Sequence, residues 1–220
     1  MDFTRQSGIV DSKAIASKRV TLIGAGSVGS FAALALSKLG VEKLTVYDRD
    51  EIEDHNLPNQ FYPLGSVGEL KVRCLGEMIR NMTGNKIIIK NEFYSNQLLP
   101  ETVVVATDTM SSRATIFAQF SKQKKTRYLI EARMGGELGY VYCIDKQNKT
   151  QMKKYAATLY SDDKAVKIPC TERTIIYNVL MISSLICRAF KAVVTKETNY
   201  PYETIFDMRN MMFYKDGKNA

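Results

Sequence analysis

The 220 residues suit one large domain, or a domain with an appendage, and an apolar fraction of 45% is ordinary for a globular chain. The formal charge of +8 is spread, with modest clusters at residues 122–127 and 146–154 and no aromatic-interleaved basic module, so nucleic acid is not an expected partner. No run of about 18 apolar residues lacks charge, the first twenty residues hold no apolar core, and four cysteines without a C-x-x-C accompany a single histidine, which speaks against a membrane span, a secretory signal and structural zinc and for a cytoplasmic chain with free thiols.

Residues 1–18 form a polar arm containing Phe3-Thr4-Arg5-Gln6. Val20-Thr21-Leu22-Ile23 is an apolar run of one strand's length. It ends in Gly24-Ala25-Gly26-Ser27-Val28-Gly29, and an apolar helical pattern follows from 31 to 39 until Gly40. Leu44-Thr45-Val46-Tyr47 reads as a second strand, closed by Asp48. This is the strand–turn–helix–strand context that a G-x-G-x-x-G motif requires. Gly24 permits the tight turn, Gly26 lets a ligand approach the backbone, and Gly29 lets helix and strand pack closely. The helix N-terminus offers N–H groups and a positive dipole end to a phosphate. Asp48 is placed to accept from a ribose. The motif implies a nucleotide and leaves open whether it is a dinucleotide or ATP.

Residues 50–65 are a long connection dense in Asp, Asn, Pro and Gly, leaving the carboxyl end of a strand, where open α/β sheets bind ligands. A helix is expected over 66–81, with Ser66 and Glu69 as a capping box. Strands follow at 86–90 and at 103–106, the latter ending at Asp108, with a helix over 110–122 and a strand at 128–130. Gly135-Gly136 breaks the chain, and the alternation of 138–144 predicts an edge or antiparallel strand, with Tyr140 and Tyr142 on one face. Residues 146–171 read as a polar crossing loop, 172–196 as a long buried helix, and the rest as a short strand at 204–207 and a frayed tail. The expectation is a single domain, 1–220: an arm (1–18), a nucleotide-binding core (19–145), the crossing loop, and a C-terminal helix and tail (172–220). Its fold class is α/β, a Rossmann-like, mostly parallel sheet flanked by helices, with antiparallel strands at one side.

Four polar groups fall on the ligand side of this plan: Arg5, Asn56, Lys71 and Asp108. A dehydrogenase has no need of them together, whereas an enzyme acting on ATP does. Asp108 can hold Mg²⁺, which prefers oxygen ligands, and Lys71 and Arg5 can offset charge on the phosphates. Taken singly, Asp108 can instead cap the helix at 110, and Asn56 can be a turn former.

With these residues in place, the chain resembles the E1-like activating superfamily, the ThiF, MoeB and ubiquitin-activating adenylation domains. The glycine turn, Asp48 with Asp50, Asn56-Leu57-Pro58-Asn59-Gln60, Lys71 within Val67-Gly68-Glu69-Leu70-Lys71, Asp108 followed by Arg113, and Arg5-Gln6 match its motifs in order. The resemblance implies an adenylyltransferase that binds ATP through Gly24, Gly26, Gly29, Asp48, Asp50, Asn56, Asn59, Gln60, Lys71 and Asp108. It also implies Mg²⁺ on Asp108, and a homodimer in which Arg5 reaches the neighbouring subunit's site. The implied substrate is the C-terminal carboxylate of a small carrier protein ending in a Gly-Gly-type tail. Pro169-Cys170-Thr171-Glu172 is similar to the segment bearing the thioester cysteine of the eukaryotic-type enzymes, with one residue missing between Pro169 and Cys170. Cys170 is then either a nucleophile with a lowered pKa or a buried small residue; Cys74, Cys143 and Cys187 are expected in the core, and His55 on the surface.

Two departures bear on activity. Asn59 stands where the family commonly has a phosphate-contacting Arg, and a neutral amide cannot replace a guanidinium fork unless Arg113 or a lysine substitutes. Thr109 replaces the common Asn after the magnesium Asp. Three alternatives remain: adenylation of a peptide or a modified tRNA base, an NAD-dependent oxidoreductase, and a non-catalytic nucleotide-binding protein.

Overall fold

The computed structural model describes residues 1–164, 174–216 and 218–219. Among the described residues, nine strands form one sheet in the order β3-β2-β1-β4-β5-β6-β7-β8-β9. Strands β1 (Arg19–Ile23), β2 (Lys43–Tyr47), β3 (Ile88–Lys90), β4 (Thr102–Val105) and β5 (Tyr128–Gly135) pair in parallel. Strands β6 (Leu138–Asp145), β7 (Glu203–Asp207), β8 (Met212–Lys215) and β9 (Lys218–Asn219) continue the sheet antiparallel. This is the α/β, mostly parallel architecture that the sequence implies. β1 and β4 are nearly continuous apolar runs because helices cover both of their faces.

One face carries α1 (Ser12–Ser17), α2 (Ser27–Leu39), α3 (Lys71–Thr83) and α6 (Ile176–Val194), packed through Leu22, Leu36, Leu75, Ile79, Ile186 and Phe190. The other face carries α4 (Met110–Lys122) and α5 (Lys149–Ala157), packed through Ile116, Phe120, Leu129, Ile144 and Tyr155. Helix α6 is long and apolar enough to cross a membrane. Here it is a core helix, burying Val179, Ile182, Ile186, Ala189 and Phe190.

Three local expectations change. Helix α3 starts at Lys71 rather than at 66, because Gly68 takes φ +87° and turns the chain. Ser66 Oγ donates to Pro63 O within a separate 3-10 turn, so it caps nothing. The polar stretch after β6 contains α5, started by Asn148, whose side chain accepts from Gln151 N at 3.1 Å. The apolar period is invisible there because Tyr155 alone is buried. The tail is a hairpin rather than frayed, β8 pairing along β7 from Thr204–Lys215 to Asp207–Met212.

Candidate nucleotide site

Strand order reverses at β1. The chain moves outward to β2 and β3, then returns to place β4 on the other side of β1. Such a switch point opens a crevice at the carboxyl ends of the strands, here between Gly24 and residues 106–108. Gly24 has φ +96°, and a Cβ on it would lie 2.5 Å from Ala106 O. A Cβ on Gly29 would lie 1.9 Å from Gly24 O. A Cβ on Gly26 would meet nothing within 4 Å. Two glycines therefore serve the protein's own packing, and the third borders open space at the N-terminus of α2.

A chain of contacts ties this turn to the end of β2. Asp48 Oδ2 accepts from Ala25 N at 2.7 Å, and Oδ1 accepts from Asp50 N at 2.8 Å. Burial raises the Asp48 carboxyl above its ordinary range, opposed by these two N–H groups and by Lys71. Further donors such as ribose hydroxyls would favour its charged form. Lys71 is only 7% exposed. Its N–H donates to Asp50 O at 2.9 Å, and its ammonium sits 3.2 Å from Asp50 Oδ2. A buried ammonium sharing one exposed carboxylate is well placed to meet a second anion.

The long connection then folds over the helix. Tyr62 OH donates to Ala25 O at 2.6 Å, Phe61 N donates to Ser30 Oγ at 2.9 Å, and the Phe31 and Phe61 rings lie 5.3 Å apart. Asn56 Oδ1 accepts from Glu53 N at 3.1 Å in a reciprocal capping box, so its carbonyl is spent locally and its amide N–H groups remain to donate. Gln60 Oε1 and Thr107 Oγ1 are buried without a partner among the described residues. Buried acceptors left so are costly, and a bound ligand would satisfy them. His55 is exposed, 3.4 Å from the Glu53 carboxylate, and plays no part in the crevice.

Asp108 is exposed just past β4. It does not cap α4. Thr109 does, its Oγ1 accepting from Ser112 N at 3.3 Å, and Asp162 Oδ1 takes Met110 N at 2.7 Å and Ser111 N at 3.3 Å. The exposed Asp108 carboxylate thereby has no part in capping α4.

Arg113 grips the backbone beneath it, donating to Thr107 O and, at 3.3 Å, to Asp108 O. Its Nε lies 2.7 Å from Oε1 of Glu131, a fully buried carboxylate that also takes Arg133 Nε at 2.9 Å. Arg133 reaches on to Thr158 O at 3.1 Å and Thr158 Oγ1 at 2.9 Å. Desolvation works against the Arg133 charge, and Glu131 more than offsets it, holding the guanidinium above its usual range. Arg113, 7% exposed and engaged in this way, is not available to replace the arginine missing at Asn59.

Glu131 was not singled out in the sequence. The only signal was a charged residue inside an apolar strand, which is placed in a core when paired. Glu131→Ala would leave the buried Arg113 and the partly buried Arg133 guanidiniums facing no anion, so an unfolding free energy lower by about 3–5 kcal/mol is expected by urea titration.

One expected site residue stays apart from the crevice, and another is not among the described residues. Gln6 Nε2 donates to Leu39 O at 2.9 Å, which fixes Arg5 at the C-terminal end of α2, roughly 20 Å of helix from the glycine turn. Cys170, with the segment around it, lies outside the described residues. Of the other cysteines, Cys74 is buried, and burial pushes the Cys143 and Cys187 thiols up to about 12, so none of the three is a ready nucleophile.

Comparison with known proteins decides the family. The model of the ThiF family matches residues 3–216. The chain belongs to the ThiF family. A tRNA threonylcarbamoyladenosine dehydratase of Bacillus subtilis is 27% identical over 113 residues, 47% of this chain and 44% of that protein. Among solved structures, PaaA superposes with a TM-score of 0.71 at 14% identity, over 95% of this chain and 66% of its own. Escherichia coli MccB, solved with AMPCPP and MccA, superposes with a TM-score of 0.69 at 11% identity over the same shares. This ThiF-family chain thus shares its fold with both structures and spans less than half of the B. subtilis relative.

Proposed function

We propose that this ThiF-family chain is an ATP-dependent adenylyltransferase. The observation that carries this reading is the open space over Gly26, bordered by the α2 N-terminus, with the buried Lys71 ammonium at the start of α3 and the exposed Asp108 just past β4. In the reaction, an acyl oxygen of the substrate attacks the α-phosphorus of ATP, the bond to the bridging oxygen breaks, and pyrophosphate leaves.

The α2 N–H groups and Lys71 meet phosphate charge, Asn56 donates its amide, and Asp48 takes ribose hydroxyls. A carboxylate substrate brings its own nucleophile, so the chain need supply no general base. An exposed carboxylate at the end of β4, beside the unpartnered Thr107 hydroxyl, fits a hard cation, and Asp108 would hold Mg²⁺ there. When bound, Mg²⁺ offsets charge on the departing pyrophosphate. Asn59 contributes no charge, so turnover slower than in relatives with an arginine there is expected. Arg5 reaches a crevice only if a second copy presents it, and we place a homodimer within this proposal.

The acyl substrate divides the readings. A carrier protein, with or without a thioester on Cys170, rests on motif likeness. A tRNA base or another non-carrier substrate is supported by the names of the B. subtilis dehydratase and of the MccB–MccA complex. ATP–pyrophosphate exchange, measured with tRNA, peptides and a Gly-Gly-tailed carrier supplied separately, tests both readings. Exchange raised by one of these at least tenfold is expected. ATP binding with no exchange under any substrate would favour a non-catalytic protein, and tighter binding of NAD than of ATP would contradict the proposal.

A further inference from the structure

In the sequence the basic clusters at 122–127 and 146–154 are about twenty residues apart. The fold makes them one surface. Lys146 Nζ donates to Phe120 O at 3.1 Å and also to Gln123 O, bracing the C-terminal end of α4. The Phe117 and Tyr155 rings, 4.8 Å apart, set α4 beside α5.

Residues 111–130 and 146–161, which make up these elements and their flanks, hold nine basic side chains and none of the chain's 23 acidic ones. Three of the nine have internal work: Arg113 with Glu131, Arg127 with Asp145 at 2.8 Å, and Lys146 as above. Lys122, Lys124, Lys125, Lys149, Lys153 and Lys154 are exposed. Among the described residues none of the six has an ion-pair partner, and Lys154 lies over the Tyr202 ring at 5.8 Å. Of the acidic groups at the border, Asp145 and Glu101 have cations of their own in Arg127 and Lys18, while Asp108, Asp162 and Asp163 lie at the N-terminal end of α4, away from Lys122.

We infer that this face binds the phosphodiester backbone of a structured RNA. Lysines interleaved with Gln, Asn and Thr are phosphate-contacting residues. Within residues 111–130 and 146–161 the one exposed large apolar side chain is Tyr160, at the edge and 43% exposed, so the face has no cluster of apolar groups such as a membrane wedge or a protein anchor needs. Helix α4 links the face to the candidate site. Met110 follows Asp108 and Thr109, and Lys122 lies roughly 20 Å further along the axis. An RNA the size of tRNA spans that distance while presenting one base to the crevice. This deepens the tRNA reading of the substrate. It departs from the expectation drawn from the sequence, where the two clusters are modest when each is read alone.

The test is fluorescence anisotropy with an unmodified tRNA transcript across a salt series, without ATP, so its result is independent of adenylyl transfer. For about four to six phosphate contacts, log K should fall against log salt with a slope of roughly −3 to −5. One variant carries Lys122→Glu, Lys125→Glu, Lys149→Glu and Lys153→Glu. Its control carries Lys13→Glu, Lys38→Glu, Lys43→Glu and Lys86→Glu at exposed positions elsewhere. Each set removes eight charges, taking the formal +8 to zero.

The first variant should lose about 30-fold or more in RNA affinity and the control under about threefold, a gap that local contacts explain and net charge does not. Both should keep the wild-type ATP affinity and melting midpoint. Equal losses in the two variants, no salt-dependent RNA binding by the wild type, or tighter binding to anionic lipid vesicles or polyglutamate than to tRNA would each overturn the inference.

Discussion

Gly26→Ala is expected to fold as the parent chain does and to bind ATP at least about 30-fold more weakly, while Gly29→Ala is expected not to fold stably at all. Both are single methyl additions in one turn, and the difference lies in what the methyl meets. At Gly29 it would sit 1.9 Å from Gly24 O, a backbone atom that cannot move aside without opening the join between β1 and α2. That join is among the most buried parts of the core, and forced overpacking there exceeds the usual cost of about 1–3 kcal/mol. At Gly26 the methyl meets nothing of the protein within 4 Å, and φ is −75°, so no left-handed strain arises. It would occupy the space that a phosphate needs beside the α2 N–H groups. A loss of about 2 kcal/mol of binding corresponds to the 30-fold effect. Circular dichroism melts with calorimetric ATP titration separate the two outcomes. A Gly26→Ala protein that binds ATP normally would mean that the open space is not the nucleotide site.

Asp108→Ala and Lys71→Met are expected to lower ATP–pyrophosphate exchange by about 10²–10³-fold, with different signatures. Removing one preorganised group aimed at transition-state charge costs about 2.7–4 kcal/mol. Asp108 is exposed, and its backbone is held by Arg113 rather than by its own carboxylate, so alanine there should leave stability within about 0.5 kcal/mol. Its defect relative to the parent should narrow as Mg²⁺ is lowered, since the parent loses what Mg²⁺ contributes through this carboxylate and the variant has none of it to lose. Lys71 is buried beside Asp50, so methionine keeps the packing of its stem and removes only the charge. Its defect should appear in ATP affinity as well as in rate. Exchange unchanged in either variant would remove that residue from the mechanism.

Much of this was legible in the sequence because it rests on local rules. The glycine turn, the strand run before it and the apolar helix after it depend on short-range sterics and period. The strands β1 to β5 are each marked by a short apolar run. Asp48 and Lys71 could be placed near the turn once β2 was placed. What could not be read depends on contacts distant in sequence. Glu131 is understood only when Arg113 arrives from α4 and Thr158, past α5, takes the far side of Arg133, its neighbour on β5. Asp162 displaces Asp108 from the capping role across 52 residues, since its carboxylate takes Met110 N. Helix α5 escaped because it buries one tyrosine and otherwise faces water, leaving no apolar period to read. Arg5 matched a motif in order, but order along the chain does not place it, and the contact of Gln6 with Leu39 puts it at the far end of α2.

A crystal structure of the chain grown with ATP and Mg²⁺ probes the core of this account directly. The triphosphate should lie over Gly26 at the start of α2, with the Lys71 ammonium and an Asp108 carboxylate oxygen both turned toward it. Nucleotide density elsewhere, or either side chain directed away from the phosphates, would contradict it.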